Sequence, residues 1–232
     1  MCARFTLSQE TGKIVGCLVG VELERPFEIK TEPRFNIAPT QNVLAVVSDP
    51  SPRFELLRWG LIPSWAKDPK IANSLINARA ETLAEKPSFR VPLRRQRCLV
   101  LADGFFEWKV LPGQKHKQPT YIRLKSREPF AFAGLWDKWT APDGQTVKTC
   151  SIITTEPNDL MRPIHNRMPA ILAPPFLPTW LAPGELPAET VRSCLQPYEA
   201  GQMEAYPVSP LVNNPRVDRS ECIRRFEQPD LL

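Results

Sequence analysis

Twenty-six prolines against ten glycines in 232 residues exclude a fold built on long, uninterrupted helices. Proline fixes φ at about −65°, lacks a backbone donor and breaks any helix it enters past the first turn. The chain must therefore be built from strands, short helical pieces and rigid turns. Strand-like segments rich in β-branched and aromatic residues follow a first short strand: NVLAVV (42–47), FELLRWG (54–60), RCLVLADGFFEW (97–108), TYIRLK (120–125), PFAFAGLW (129–136) and VKTCSIITT (147–155). LPGQ at 111–114 and APDG at 141–144 read as hairpin connections. Short helices are predicted at about 8–19, 87–96, 157–162, 174–181 and 187–195, with Pro157 and Pro187 as first-turn prolines. The pattern predicts an α+β fold: a single domain over 1–232 whose mostly antiparallel sheet curls into a barrel-like core with short flanking helices. A proline-rich C-terminal segment, about 207–232, is expected to pack back on it.

Composition narrows the function. Apolar content of 42% and charged content of 24% suit a soluble globular protein, and no stretch reads as a membrane span or a secretion signal. A cytoplasmic monomer is the expectation. Six cysteines without a C-x-x-C pair, and only His116 and His165 as imidazoles, argue against structural zinc, and an intracellular setting argues against disulfides; no metal or organic cofactor is expected. Cys17, Cys98 and Cys150 lie in apolar runs and read as core. The net charge of +5 is mild, but Lys86–Arg97 reads KPSFRVPLRRQR, with five cations and no acid. That run is either a solvated face or a groove that tracks a polyanion.

Cys2 follows the initiator methionine, and methionine is readily removed ahead of a small residue. The product would carry an α-amine and a thiol on adjacent carbons, with free pKa values of roughly 8 and about 8.5. A 1,2-aminothiol condenses with an aldehyde to a five-membered thiazolidine. The other polar candidates sit inside apolar or tightly punctuated segments: Asn77 and Arg79 in INARAET, Glu107 in DGFFEW, His165 and Arg167 in PIHNRMP. Glu107, between Phe106 and Trp108, is either a partly desolvated acid suited to proton transfer or an edge-strand glutamate reaching water. His165 is either a proton donor or a structural histidine, and Asn77 an orienting amide or a turn residue.

Taken together, these segments resemble the SRAP family, the SOS-response-associated peptidase domains now understood as abasic-site processing proteins. The resemblance runs through MCARF (1–5), RFNIAPT (34–40), RWGLIPSW (58–65), INARAET (76–82), RCLVLADGFFEW (97–108), SIITTEPN (151–158), IHNRMP (164–169) and YPVS (206–209). Ala3 stands where the family usually has glycine, and Tyr206 where it often has histidine.

The resemblance implies that mature Cys2 crosslinks to the aldehyde of an abasic site in single-stranded DNA. It gives Asn77, Glu107 and His165 as the rest of the catalytic set. Arg4, Arg79 and Arg167 become phosphate contacts, Pro39, Trp65 and Trp108 platforms for flanking bases, and Thr154 a backbone contact. Trp59 and Trp136 are assigned to the core. Two other functions are compatible with the residues: a cysteine peptidase using Cys2 and His165, and a non-catalytic single-strand-binding module using the arginines and tryptophans.

Overall fold

The computed structural model describes residues 2–24 and 32–226. The last part of the expected C-terminal segment, 227–232, and Met1 lie outside the described residues. The first half of the chain runs β1 (Phe5–Leu7), α1 (Thr11–Gly16), β2 (Arg34–Ile37), β3 (Asn42–Ser48), β4 (Pro52–Trp59), β5 (Asn77–Arg79) and α2 (Pro87–Arg95). It continues through β6 (Arg97–Ala102), β7 (Gly104–Lys109), β8 (Gln118–Leu124), β9 (Phe130–Thr140) and β10 (Thr146–Thr155). The remainder is β11 (Met168–Pro169), α3 (Phe176–Leu181), α4 (Ala188–Cys194) and β12 (Met203–Pro207).

One sheet closes on itself. The order β10-β4-β3-β6-β9 returns to β10 through a long antiparallel β9–β10 pairing, which makes a barrel of five strands. All its pairings are antiparallel except β10 with β4. Closure removes free edges and leaves a side-chain-filled interior. A second, open sheet of five strands, β12-β8-β7-β1-β2, stands against it. Phe5 of β1 joins the two layers, edge-on to Trp59 at 5.1 Å and to Phe132 at 5.7 Å. The barrel-like α+β core expected from the strand pattern is the observed one. Trp59 and Trp136 are both buried in it.

Several expectations change. Residues 97–108 form two strands in different sheets, because the chain breaks at Asp103 to pass from barrel to open sheet. Residues 157–162 form consecutive turns instead of a helix. Asn158 Oδ1 caps the Met161 N–H at 3.0 Å, and Pro163 has no N–H with which to extend the winding. The first helix spans only Thr11–Gly16. Of the cysteines expected in the core, Cys98 and Cys150 are fully buried, whereas Cys17 is half-buried.

The basic run forms α2, and its last cation is not available to a polyanion. Arg97 is buried, and its guanidinium donates to the carbonyls of Leu93, Arg94, Trp180, Ala182 and Gly184. It closes the ends of α2 and α3, a role suited to a fork with five donors.

Residues 207–226 return across the open sheet. Asn36 on β2 is fully buried and donates to the carbonyls of Val212, Asn214 and Val217. Asp218 pairs with Arg34 and accepts the Phe35 N–H. Tyr206 donates its hydroxyl to the Ile223 carbonyl at 2.9 Å. Among the described residues no helix is long and apolar enough to cross a membrane.

Candidate active site

The N-terminal strand is fixed by one acid. Asp103 accepts from the Thr6 hydroxyl, the Ser8 N–H at 2.6 Å, the Ser8 hydroxyl at 2.8 Å and the Gln9 N–H at 3.0 Å. Four donors explain why a carboxylate is tolerated in a buried position. Next to it, Gly104 lies so close to Tyr121 that a Cβ would stand 2.1 Å from the phenol oxygen. Any other residue there would push β1 and β7 off Tyr121, whose hydroxyl lies 2.8 Å from that of Thr6. The β1–β7 register sets Phe5 against Phe105, and the Phe106 N–H donates to the Arg4 carbonyl at 2.9 Å. Continued by two residues, this register carries the start of the chain past Glu107.

A second element meets it from the barrel. At Gly60, φ is +122° and a Cβ would lie 3.0 Å from the Ala72 carbonyl oxygen, so only glycine fits where β4 leaves β10. Beyond that point β5 pairs with β10 in parallel, Asn77 opposite Ile152. Asn77 thereby faces the N-terminal residue: its amide donates to the Cys2 carbonyl at 2.7 Å. Its Oδ1 is buried and accepts no hydrogen bond among the described residues.

Cys2 is fully buried. Burial pushes its thiol well above the ordinary range, and the negative charge of Glu107 pushes in the same direction. Glu107 itself is buried, and burial raises its carboxyl. His165 follows the Asn158 turn. Its Nδ1 lies 3.0 Å from the Arg167 N and 3.2 Å from the Arg167 carbonyl oxygen, so the Arg167 backbone fixes the ring's orientation. Partial burial lowers its pKa, and the charges of Lys117 and Arg167 lower it further.

The arginines fall into two kinds. Arg167 is forked onto Glu81, Nη1 to Oε1 at 2.7 Å and Nη2 to Oε2 at 3.0 Å, and also donates to the Thr154 carbonyl at 2.6 Å. Glu81 is held below its usual range: burial alone would raise it, but the Arg167 fork and the Arg79 charge outweigh that. Arg4 donates to Asn36 Oδ1 at 2.8 Å and to the Val212 carbonyl at 2.6 Å, and lies 5.9 Å from the Trp108 ring centre. Arg79, at the end of β5, is exposed and forms no ion pair among the described residues. Thr154 is buried, its hydroxyl donating to the Ala78 carbonyl at 3.4 Å.

Of the expected platforms, Trp108 is half-buried and donates to Asn213 Oδ1 at 2.7 Å. Trp65 is 58% exposed, enough to present a ring face to a ligand, and lines a surface depression with Ile71. Pro39 is half-buried. Ala3 is not among the residues with positive φ, so the alanine causes no backbone strain. No cluster of three or more metal-ligating side chains occurs among the described residues.

The structure thus brings Cys2, Asn77 and Glu107 together, and His165 with Arg167 and Thr154. Sequence reasoning missed Glu81, Asn36, Asp103 and Lys117. Glu81 and Asp103 lay inside the motifs INARAET and DGFFEW, and Asn36 inside RFNIAPT; a polar residue in each was the available signal.

The chain belongs to the SRAP family. The model of that family, SOS response associated peptidase, matches residues 1–215. It is 50% identical over 224 residues to the abasic site processing protein YoqW of Bacillus subtilis (strain 168), covering 96% of this chain and 99% of that one. With YoaM of the same organism, also an abasic site processing protein, it shares 48% over 225 residues, 96% of this chain and 97% of the other. A crystal structure of a Bacteroides thetaiotaomicron protein superposes with a TM-score of 0.84 at 28% identity, covering 97% of this chain and all, 100%, of that one.

Proposed function

We propose that this chain processes abasic sites in single-stranded DNA, capping the ring-opened sugar through Cys2 after Met1 has been removed by hydrolysis. The observation that carries the reading is the Asn77–Cys2 hydrogen bond at 2.7 Å beside the buried Glu107 carboxyl. An N-terminal residue anchored by its own carbonyl keeps amine and thiol free to react. Close relatives bearing the name abasic site processing protein support the same substrate.

The reaction balances without an outside oxidant or reductant. The Cys2 amine adds to the sugar's C1 aldehyde, and the carbinolamine loses one water to give an imine. The thiol then adds to the imine carbon as its proton passes to nitrogen, closing the thiazolidine. Glu107 takes and returns the nitrogen's proton, for which a raised pKa is suited. His165, oriented by the Arg167 backbone, donates a proton to the sugar's ring oxygen and favours the open aldehyde. Asn77 orients the N-terminal residue. Arg79 meets a phosphate directly. Arg4 and Arg167 act from tethered positions, Thr154 behind Arg167. Pro39, Trp65 and Trp108 take flanking bases, each stack contributing roughly 1–3 kcal/mol.

The competing peptidase reading needs a thiolate paired with an imidazolium. Here burial and Glu107 push the Cys2 thiol up while burial pushes His165 down, which favours the neutral forms of both. The imine route requires no resting thiolate. The test is incubation of matured protein with a single-stranded abasic oligonucleotide and, separately, with casein. A heat-stable crosslink without proteolysis is expected. Proteolysis, or salt-sensitive binding with no crosslink, would replace this reading with one of its rivals.

A further inference from the structure

A cavity of about 450 Å³ opens beside the site, and nothing above accounts for it. That size lies in the span of roughly 300–1,000 Å³ found for small-ligand pockets. Its position is set by two site residues. Thr120 in its wall is the cross-strand partner of Glu107, so the two share a face of the open sheet. Pro163 and Ile164, also in the wall, are the two residues ahead of His165. The rest of the lining is chiefly apolar and includes Leu111, Leu160, Tyr206 and Phe226.

Charge says what would fill it. Lys109 is the only charged residue of the wall, and it has no ion-pair partner among the described residues. The strand pair that carries it reads WKVLPGQKHKQPTYIRLKSR from 108 to 127, six cations and no acid. Lys117, exposed at the start of β8, is close enough for its charge to act on both Glu107 and His165. An apolar chamber with Phe226 in its wall, Lys109 at its edge and Lys117 nearby suits a flat, apolar-faced group that carries a negative charge.

We propose that this cavity is a nucleotide subsite: it takes the unpaired base next to the abasic residue, with the neighbouring phosphate on Lys109 and Lys117. The subsite rests on the reading that the strand brings its lesion to Cys2. It holds one intact nucleotide beside the lesion and so fixes the sugar's position at Glu107 and His165. An undamaged strand fills the same cavity but presents no aldehyde.

The test does not depend on crosslinking. Fluorescence anisotropy measures binding of single strands that carry tetrahydrofuran, an inert abasic stand-in, in which the base on the 5′ or the 3′ side of it is also removed. Removing the base on one side should weaken binding by the wild-type protein about 5–150-fold, the loss of one stacked base. Leu111→Asp and Lys109→Met, both outside the core, should bind the intact-neighbour strand more weakly and lose most of that discrimination, with unchanged melting temperatures. Equal discrimination by wild type and both variants would overturn the subsite, as would no discrimination in the wild type. Crosslinking of a true abasic strand, measured in parallel, tests the parent reading separately: absent crosslinking with intact discrimination would sink the chemistry and leave the subsite standing.

Discussion

The Asn77 amide donates to the Cys2 carbonyl at 2.7 Å across 75 residues of chain, so a strand end in the barrel holds the N-terminal residue of the reacting site. The same side chain keeps a buried Oδ1 that accepts no hydrogen bond among the described residues. A buried acceptor left unmatched costs on the order of 1–3 kcal/mol. In the proposed reaction that oxygen is an acceptor waiting for the protonated amine of matured Cys2 or for a hydroxyl of the opened sugar.

Asn77→Ala should therefore cost little stability, because the lost bond and the removed unmatched acceptor offset each other. Crosslink formation should fall by about ten- to a hundredfold, the scale of one to two lost hydrogen bonds at about 1.4 kcal/mol per factor of ten. Single-turnover crosslinking and thermal melting check the two halves. A large drop in melting temperature with an unchanged crosslinking rate would make Asn77 a structural residue.

Glu107 has a stability signature that can be read without DNA. Its folded-state pKa is raised by burial, so the native state holds the proton more tightly than the unfolded chain. Its contribution is fully present below the unfolded pKa of about 4.3 and is lost as pH rises through the folded value. Glu107→Gln should leave stability unchanged at acid pH and raise it at neutral pH. Denaturant melts across pH 4 to 8 measure this; parallel curves for the two proteins would contradict it. In the reaction, the same substitution should slow transfer of protein from a preformed crosslink to excess abasic competitor by about ten- to a thousandfold, more than it slows formation.

The three arginines should separate by what already holds them. Arg79→Ala should lower the salt dependence of strand binding by about one ion and leave the melting temperature unchanged, because its guanidinium makes no ion pair among the described residues. Arg4→Ala should also destabilise the fold, since it releases Val212 and leaves Asn36 short of a partner. Salt titrations of binding beside thermal melts decide this. A lower melting temperature with an unchanged salt slope for Arg79→Ala would move it to the structural class.

How much of this was legible follows from how local each signal is. Strands β3, β8, β9 and β10 were readable because their β-branched and aromatic runs are consecutive in sequence. β2 and β5 carry only RFNI and NAR, too short to declare themselves; β2 lines the edge of β1, and β5 the end of β10 that runs past its pairing with β4. The break at Asp103 was hidden because apolar runs flank it on both sides and every residue of 97–106 is buried, so the single Asp-Gly step stood inside what reads as one continuous strand. Arg97 looked like part of a cationic face because three of the five carbonyls that surround it, those of Trp180, Ala182 and Gly184, come from α3 and the turn after it, far along the chain. The candidate site residues were visible as polar letters in apolar motifs, whereas their contacts were not. The Glu81 fork on Arg167 and the cavity beside Glu107 each join segments distant in the chain.

The central claim is that the amine and thiol of matured Cys2 together close onto an abasic aldehyde. The direct measurement is the intact mass of the product formed between protein lacking Met1 and a single-stranded abasic oligonucleotide, without borohydride, for wild type and Cys2→Ser. The account predicts a heat-stable product for the wild type whose mass is the sum of the two reactants less one water. Cys2→Ser, which keeps the amine but loses the thiol, should give a product only when borohydride traps the imine. A stable, untrapped product from Cys2→Ser, or none from the wild type, would contradict it.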